Sequence, residues 1–342
     1  MIIHSEKTKS KIYIERDCRL HIKDYICVQR KVMIISDDGV PKEYVEAIAS
    51  QCPQPFIHIV KQGEGSKSLS VVEEICQELY HHGFGNEDLI FAVGGGVIGD
   101  LSGYIASVYK LGIPFVSLPT TTLSQIDSSI GGKTAVNLHN VKNIIGAFYH
   151  PEVVLIDLNT LATLSHRQYY SGLVEALKAG IIRDPILFSL FEQNVVDFNC
   201  TLPPKDLEQI IERSLIIKRD VVEEDEKESG LRKILNFGHT FGHAIESMYG
   251  LHGYTHGECV GIGMVMILQD PILREKVKTI LYKMKLPYEA DYDEEVLLEY
   301  VTKDKKAQGS TISLVLVDEV GKAYVNDVEI SDLKNYIQGG KE

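Results

Sequence analysis

The segment spanning residues 235–264 reads LNFGHTFGHAIESMYGLHGYTHGECVGIGM and contains histidines at spacings suited to metal binding. His239 and His243 are four residues apart in a stretch with apolar residues at helical spacing, so their imidazoles share one face of a predicted helix. His256 follows a glycine-containing turn and leads into a second apolar helix. Converging neutral imidazoles suit Zn²⁺ or a similar divalent ion. The spacing leaves open which two of the three histidines bind it.

A catalytic zinc site needs a further protein ligand and an open coordination position. Glu175, in SGLVEALKAG, is a carboxylate on an otherwise apolar predicted helix and is the natural donor. The structural alternative is that the histidines are hydrogen-bonded core residues, because an i,i+4 pair often occurs by chance. His256 and Glu175 together favour the metal site.

Composition limits the classes of function. The chain has 342 residues, 44% hydrophobic content and a net charge of −13, which predicts a two-domain globular protein and argues against nucleic-acid binding. Six cysteines occur without paired spacing, which is typical of reduced thiols in a cytosolic protein. No apolar run is long enough to span a membrane, and the first residues are too polar for a signal peptide. We therefore expect a soluble cytoplasmic protein without a membrane partner.

Elements that would position these residues follow two patterns. Up to about residue 158, apolar β-branched runs such as KVMIIS, FIHIV and DLIFAV alternate with helical periods. This alternation predicts an α/β domain, residues 1–158, with a mainly parallel, Rossmann-like sheet. Helical periods dominate residues 159–342, apart from one hairpin signal in STISLVLVDEVGKAYVND. The second domain is therefore predicted to be mostly α-helical.

A glycine-rich turn follows the predicted strand DLIFAV. Residues 94–99 read GGGVIG and satisfy G-x-G-x-x-G before a predicted helix, where backbone N–H groups can approach a pyrophosphate. The motif follows a later strand and no acid ends the next one, which departs from the usual dinucleotide arrangement. An adenosine ribose could instead meet Asp37, at the end of the second predicted strand, with Glu64 and Lys67 placed similarly.

The segment PTTTLSQIDSSIGGKTAVN, residues 119–137, is predicted to be a long functional loop at the carboxyl end of a strand. The candidates for contacting substrate in and after this segment are Asp127, Lys133, Lys142 and Asn143. Further basic residues, each most simply a surface charge, together indicate a phosphorylated or carboxylated sugar substrate; they are Lys218, Arg232, Lys305 and Lys306.

Six segments in order closely resemble the 3-dehydroquinate synthase family of sugar-phosphate cyclases. They read GGGVIGDLSGYIAS, PTTTLSQIDSSIGGKTAVN, VKNIIGAFYHPEVVLIDL, SGLVEALKAGII, LRKILNFGHTFGHAIE and HGECVGIGM. The resemblance implies an NAD-binding α/β domain, a helical metal- and substrate-binding domain, an active site in a cleft and a homodimer. It implies the metal ligands Glu175, His239 and His256, holding Zn²⁺ or Co²⁺, with His243 facing the substrate.

The resemblance also assigns the remaining site residues. The implied NAD contacts are Asp37, Glu64, Lys67, Gly94, Gly95, Gly96, Asp100, Thr120, Thr121 and Thr163. The implied substrate contacts are Asp127, Lys133, Lys142, Asn143, Lys178, Lys218, Glu228, Arg232, Asn236, His243 and Lys305, with Lys306 as the alternative to the last. The implied reaction converts 3-deoxy-D-arabino-heptulosonate 7-phosphate to 3-dehydroquinate and phosphate by transient NAD oxidation, β-elimination, re-reduction and an intramolecular aldol.

Two positions depart from the family pattern. Leu111 stands where the family usually carries an arginine that reaches the neighbouring subunit's phosphate site, and Val141 replaces a usual glycine. Rival interpretations are a cyclase that makes deoxy-scyllo-inosose or a valiolone, a metal- and NAD-dependent polyol dehydrogenase, and a non-catalytic protein in which a bound metal ion stabilises the helical half. Asn236 and Arg232 favour the dehydroquinate reaction over the inosose one.

Overall fold

Two units make up the chain, Met1–Leu164 and Ser165–Glu342. The computed structural model describes residues 1–4, 9–139, 141–194, 202–226, 228, 230–250, 253–303 and 310–337. The boundary predicted near residue 158 falls at the start of a short helical segment, Leu158–Thr163, just before this division.

The first unit contains nine described strands and three α-helices. The strands are β1 (Ile2–His4), β2 (Lys9–Ile14), β3 (Lys31–Asp37), β4 (Gln54–Val60), β5 (Leu89–Gly94), β6 (Phe115–Pro119), β7 (Lys133–Leu138), β8 (Val141–Phe148) and β9 (Val153–Ile156); the helices are α1 (Lys42–Ala49), α2 (Leu69–His81) and α3 (Gly96–Val108). Seven strands form one sheet in the order β1-β2-β9-β6-β5-β3-β4. All its pairs are parallel except β1 with β2, so the predicted mainly parallel sheet is confirmed.

Alternation along the strands builds one hydrophobic core on each face of this sheet. Val32 and Ile34 pack with the α1 residues on one side, whereas Met33 and Ile35 pack with α2 and α3 on the other. Because side chains of a strand point alternately to opposite faces, a strand covered on both sides must be apolar throughout. The run KVMIIS meets this requirement.

The order of strands reverses at β3, which lies between β4 and β5. Ile35 pairs with Ala92, so Asp37 at the end of β3 is level with Gly94 at the end of β5. Open α/β sheets bind ligands outside the carboxyl ends of strands at such a reversal. The glycine turn and Asp37 therefore lie where this fold binds ligands, even though the turn does not follow the first strand.

The prediction of a long loop over residues 119–137 is wrong. Ser124–Ser128 forms a π-helical turn, and β7 pairs antiparallel with β8 in a separate hairpin. Several polar residues that indicated a loop are instead buried in the fold. Gln125 Nε2 donates to the carbonyls of Pro119 and Asp157, both at 3.0 Å, although its Oε1 has no hydrogen-bond partner among the described residues. Buried polar groups need such partners, and composition does not distinguish them from solvated ones.

The second unit is mostly helical, as predicted. Its helices are α4 (His166–Arg183), α5 (Pro185–Asn194), α6 (Pro204–Glu224), α7 (His239–Tyr249), α8 (His256–Ile267), α9 (Pro271–Lys283) and α10 (Glu294–Lys303), and the predicted hairpin is β10 (Thr311–Glu319) with β11 (Lys322–Glu329). Every residue of α4 from Tyr169 to Ile182 is buried, which makes α4 the central helix of this unit. No helix in the described ranges is long and apolar enough to cross a membrane.

Candidate active site

Three helices of the second unit each contribute one candidate metal ligand. Glu175 lies midway along α4, and His239 and His256 are the first residues of α7 and α8. Close helix packing brings them together. A Cβ atom at Gly257 would lie 1.9 Å from the Ser171 carbonyl oxygen on α4, and one at Gly263 would lie 1.9 Å from that of Gly238 before α7. Only glycine permits α8 to approach both neighbours this closely.

The donor atoms of Glu175, His239 and His256 all lie within 4.8 Å of one another. Nε2 of His239 is 3.6 Å from Glu175 Oε1, and Nε2 of His256 is 3.4 Å from the same oxygen. Two imidazole nitrogens and one carboxylate oxygen are a common donor set for catalytic zinc, which keeps a fourth position open for water or substrate. These residues fit a divalent ion.

Glu175 is 2% exposed, and neither of its carboxylate oxygens accepts a hydrogen bond from a described residue. The Lys178 ammonium forms an ion pair with Oε2 but lacks hydrogen-bond geometry. Burial alone would raise the pKa of Glu175, but Lys178 and the two histidines hold it well below its usual range. A buried, ionised carboxylate that accepts no hydrogen bond is stabilised by nearby cations, and a divalent ion between Glu175 and the two imidazoles would add to the charge of Lys178.

Each of the two candidate ligand histidines, His239 and His256, has an acceptor at its Nδ1 atom. Nδ1 of His239 lies 3.1 Å from the Phe237 carbonyl oxygen, and Nδ1 of His256 lies 3.2 Å from Glu246 Oε2. Because a carbonyl oxygen only accepts, Nδ1 of His239 carries the proton and Nε2 presents its lone pair. Burial, followed by the charge of Lys178, lowers the pKa of His239, which keeps it neutral and able to bind metal.

An ion pair that sequence reasoning missed fixes α8 against α4. Arg167 Nε and Nη2 donate to the Glu258 carboxylate at 2.7 and 2.6 Å, and Glu258 is 3% exposed. Glu258 also accepts from the Thr255 amide at 2.7 Å, completing a capping box around His256. The T-x-x-E spacing before an apolar helix is the sequence signal that would have revealed this cap.

Three basic residues predicted as substrate contacts in the described part of this unit are buried. Lys178, Lys218 and Arg232 are at most 8% exposed, so the interpretation of Lys218 and Arg232 as individual surface charges is wrong. Arg232 Nη1 donates to the Glu226 carbonyl at 2.6 Å, and Asn236 Nδ2 donates to Glu228 Oε1 at 2.6 Å. Buried cations are retained only with partners, which local sequence does not display.

His243 is exposed on α7, with its ring centroid 5.1 Å from that of His239 and 5.8 Å from that of His256. It therefore lies beside the ligand group, which is Glu175, His239 and His256, but does not approach Glu175 within salt-bridge distance. Lys305 and Lys306 lie outside the described residues.

In the first unit, Lys67 joins predicted cofactor and substrate contacts. It is 4% exposed, and its Nζ lies 2.7 Å from Asp100 Oδ2, 2.5 Å from Asn143 Oδ1 and 3.7 Å from Glu64 Oε1. Asn137, which sequence reasoning missed, donates to Glu64 Oε1 at 2.9 Å and accepts from the Asn143 amide at 2.8 Å. The 64–67 turn and the β7–β8 hairpin are thus joined by a single polar network.

The glycine turn leads into the N-terminus of the thirteen-residue helix α3. Gly95 and Gly96 are half-buried, and a Cβ at either would meet only one side chain, Thr121 at 3.1 Å or Ser128 at 3.0 Å. Backbone N–H groups at a helix N-terminus favour anionic ligands such as pyrophosphate. Gly94, by contrast, packs against Ile98, at 2.7 Å from a Cβ.

The remaining predicted cofactor contacts are Asp37 and three threonines of the first unit. Asp37 is buried, which raises its pKa, and Thr120 donates its amide to the Gly94 carbonyl at 2.9 Å. Thr121 bonds Ser124, while Thr163 is exposed and lies 3.3 Å from the Tyr44 hydroxyl. Among the predicted substrate contacts, Asp127 is half-buried in the π-helical turn, and Lys133 and Lys142 are exposed on the hairpin strands.

Solved structures with the same fold define its class. The structure of 2-deoxy-scyllo-inosose synthase complexed with carbaglucose-6-phosphate, NAD⁺ and Co²⁺ matches with a TM-score of 0.85 and 26% identity, covering 98% of each chain. The 2-epi-5-epi-valiolone synthase from Streptomyces hygroscopicus, with NAD⁺ and Zn²⁺ bound, matches with a TM-score of 0.85 at 23% identity and the same coverage. The fold is that of the sugar-phosphate cyclases, as predicted.

Sequence comparisons identify the family. Residues 57–171 match the family described as 3-dehydroquinate synthase N-terminal, and residues 172–307 match 3-dehydroquinate synthase C-terminal. A relative named 3-dehydroquinate synthase from Dictyoglomus turgidum is 40% identical over 100% of this chain and 98% of its own length. One of the same name from Campylobacter concisus is 38% identical, over 96% and 95%. The chain belongs to the 3-dehydroquinate synthase family.

Proposed function

We propose that the chain converts 3-deoxy-D-arabino-heptulosonate 7-phosphate to 3-dehydroquinate and phosphate in the cytoplasm, a carbon–oxygen lyase reaction of the shikimate pathway. The observation that carries the proposal is the buried Glu175 carboxylate, which meets two imidazole nitrogens in a chain of this family. Curated relatives with that name match this chain over nearly its whole length, which favours the dehydroquinate reaction over other cyclase reactions.

Glu175, His239 and His256 would hold the divalent ion, and Zn²⁺ and Co²⁺ both suit this donor set. When bound, the ion supplies Lewis-acid polarisation of substrate hydroxyl groups, and NAD⁺ supplies a reversible hydride acceptor. The positive charge of Lys178 beside Glu175 helps the buried carboxylate to stay ionised.

NAD⁺ would bind in the first unit at the reversal of strand order. There Gly95 and Gly96 leave backbone N–H groups open to the pyrophosphate, and Asp37 lies level with Gly94 for the ribose. The other proposed contacts follow the family pattern and are Glu64, Lys67, Gly94, Asp100, Thr120, Thr121 and Thr163.

The substrate's phosphate and carboxylate would be held by cations. Lys218 and Arg232 are buried, where a charge acts more strongly on a bound anion than it would in water. Exposed Lys133 and Lys142 would reach the substrate from the hairpin, and His243 would exchange a proton with a substrate hydroxyl beside the ion. Asp127, Asn143, Lys178, Glu228, Asn236 and Lys305 complete the proposed substrate set.

We further propose that the chain forms a homodimer through the β7–β8 hairpin. Ile144 and Phe148 point to the same outer face of β8 and are 59% and 51% exposed. Within the described ranges, β8 pairs only with β7, so one edge of the hairpin is open. Exposed apolar residues beside an open strand edge are typical of an interface. Ile144→Lys should shift the protein from dimer to monomer in light scattering; an unchanged mass would place the interface elsewhere.

The test of the reaction is incubation of the protein with the heptulosonate phosphate, NAD⁺ and Zn²⁺, following phosphate release and absorbance of NADH. We expect phosphate to be released with no net NADH, because the hydride returns to the substrate. Glucose 6-phosphate serves as the comparison substrate for the inosose reaction, and glycerol as that for a polyol dehydrogenase. Phosphate release from glucose 6-phosphate alone, or stoichiometric NADH from glycerol, would contradict the proposal.

A further inference from the structure

Glu246 lies behind one candidate metal ligand and has no part in the proposed reaction. It follows His239 by seven residues and His243 by three on α7, so the three side chains project from one side of that helix. Its Oε2 lies 3.2 Å from Nδ1 of His256, which is on the neighbouring helix α8. The Glu246 side chain is only 19% exposed.

We propose that Glu246 is a positioning residue that accepts a hydrogen bond from Nδ1 of His256 and so turns Nε2 toward the ion held with Glu175 and His239. The inference rests on the metal site of the proposed function. A carboxylate acceptor fixes the imidazole proton at Nδ1 and leaves the Nε2 lone pair free to bind metal. The ring contacts agree, because Glu246 lies at one edge and Glu175 Oε1 lies 3.4 Å from the other.

The two ligand histidines differ in this respect. Nδ1 of His239 faces the backbone carbonyl of Phe237, a neutral acceptor that no side-chain substitution removes. Nδ1 of His256 faces a charged side chain instead. Since His256 is 31% exposed whereas His239 is 13% exposed, its ring has fewer packing contacts to restrain it. The carboxylate therefore supplies the restraint that packing provides for His239.

His243, Glu246 and His256 also bring donor atoms within 4.8 Å of one another, which raises the alternative of a second ion. An ion there would take Nδ1 of His256 as its ligand. The same imidazole would then have to lose both protons to bind the first ion through Nε2, which is unfavourable near neutral pH. One ion, with Glu246 as acceptor behind it, is the consistent assignment.

The experiment is a titration of the metal-free full chain with Zn²⁺ in competition with a chromophoric chelator, for the wild type, Glu246→Ala, Glu246→Gln and Ser247→Ala. Glu246→Ala should weaken Zn²⁺ binding by about 10–100-fold. Glu246→Gln should lose clearly less, because its amide oxygen still accepts from Nδ1. Ser247→Ala, the neighbouring exposed position on α7, should bind like the wild type. Urea unfolding of the metal-free proteins should show that the glutamate variants remain folded.

Three results would overturn the inference. The first is Zn²⁺ affinity of Glu246→Ala equal to that of the wild type, and the second is Glu246→Gln binding as weakly as Glu246→Ala. The third is two ions per wild-type chain, one of them lost in Glu246→Ala, which would establish the second site instead. A wild-type chain that binds no Zn²⁺ would overturn the metal site of the proposed function itself, and this inference with it.

Discussion

The glycine turn of the first unit and the ligand group of the second are built differently, one from backbone groups of a single turn and the other from side chains of three helices. Gly94, Gly95 and Gly96 are contiguous, and the proposed contribution of Gly95 and Gly96 is backbone N–H groups left uncovered by side chains. The ligand group instead takes side chains from three helices and depends on how closely these helices pack. A local turn should therefore tolerate distant substitutions, whereas the ligand group should respond to any contact that fixes α4, α7 or α8.

The largest expected effect is that of Glu175→Gln. The substitution keeps the shape of the side chain but removes its negative charge beside two imidazoles, so the ion loses its only anionic ligand among these three residues. We expect Zn²⁺ affinity to fall by more than the ~100-fold typical of residues behind a ligand. Phosphate release should fall with it. Zn²⁺ affinity within tenfold of the wild type would remove Glu175 from the ligand set.

Gly95→Ala tests the turn. A methyl group at this position would lie 3.1 Å from Thr121 Cγ2 and would cover the approach to the backbone N–H groups. NAD⁺ binding, measured by calorimetry, should weaken by about tenfold, which corresponds to ~1.4 kcal/mol. The control is Gly99→Ala, since a Cβ there meets no atom within 4 Å. It should leave NAD⁺ affinity unchanged and raise the free energy of unfolding by up to ~1 kcal/mol, because alanine favours helix. Equal loss of NAD⁺ affinity in both variants would contradict this assignment.

Arg167→Ala and Arg213→Ala form a matched pair. Each arginine donates two hydrogen bonds to one carboxylate. Arg167 of α4 pairs with Glu258 of α8, and Arg213 of α6 pairs with Asp184, which directly follows α4. Because both arginines are partly exposed, each substitution should lower the free energy of unfolding by about 1 kcal/mol in urea. Only Arg167→Ala should weaken Zn²⁺ binding several-fold, since only its pair fixes the turn that carries His256. Equal Zn²⁺ affinities in the two variants would show that the ion pair between Arg167 and Glu258 does not influence metal binding.

The smallest effect is expected from Asn137→Ala. Asn137 joins Glu64 of the proposed cofactor turn to Asn143 of the hairpin. Its loss should weaken NAD⁺ binding and raise the substrate KM together, each by a few-fold. Leu138→Ala, at the neighbouring exposed position, provides the control in the same titrations. A change confined to one of the two constants would contradict the proposed coupling.

The sequence predicted most of the regular elements, because the helices of the second unit have clear periods and the central strands are continuous apolar runs. The β7–β8 hairpin was missed, since its strands follow a polar segment in which several side chains prove to be buried in the fold. The family resemblance implied Glu175, His239 and His256 as the ligand set, whereas the histidine spacing alone left open which two histidines bind the ion. Glu246 and Arg167 contact these residues or their turn only because particular helix faces pack together. The periodicity of one helix does not predict which other helix packs against it.

Diffraction from crystals grown with Zn²⁺, with anomalous data at the zinc edge, would show whether Glu175, His239 and His256 bind one ion. We expect one ion per chain bonded to a Glu175 oxygen and to Nε2 of His239 and His256 at about 2.0–2.2 Å, with an open position filled by water. An ion bound instead through Nδ1 of His256 with His243 and Glu246, or no ion beside Glu175, would contradict it.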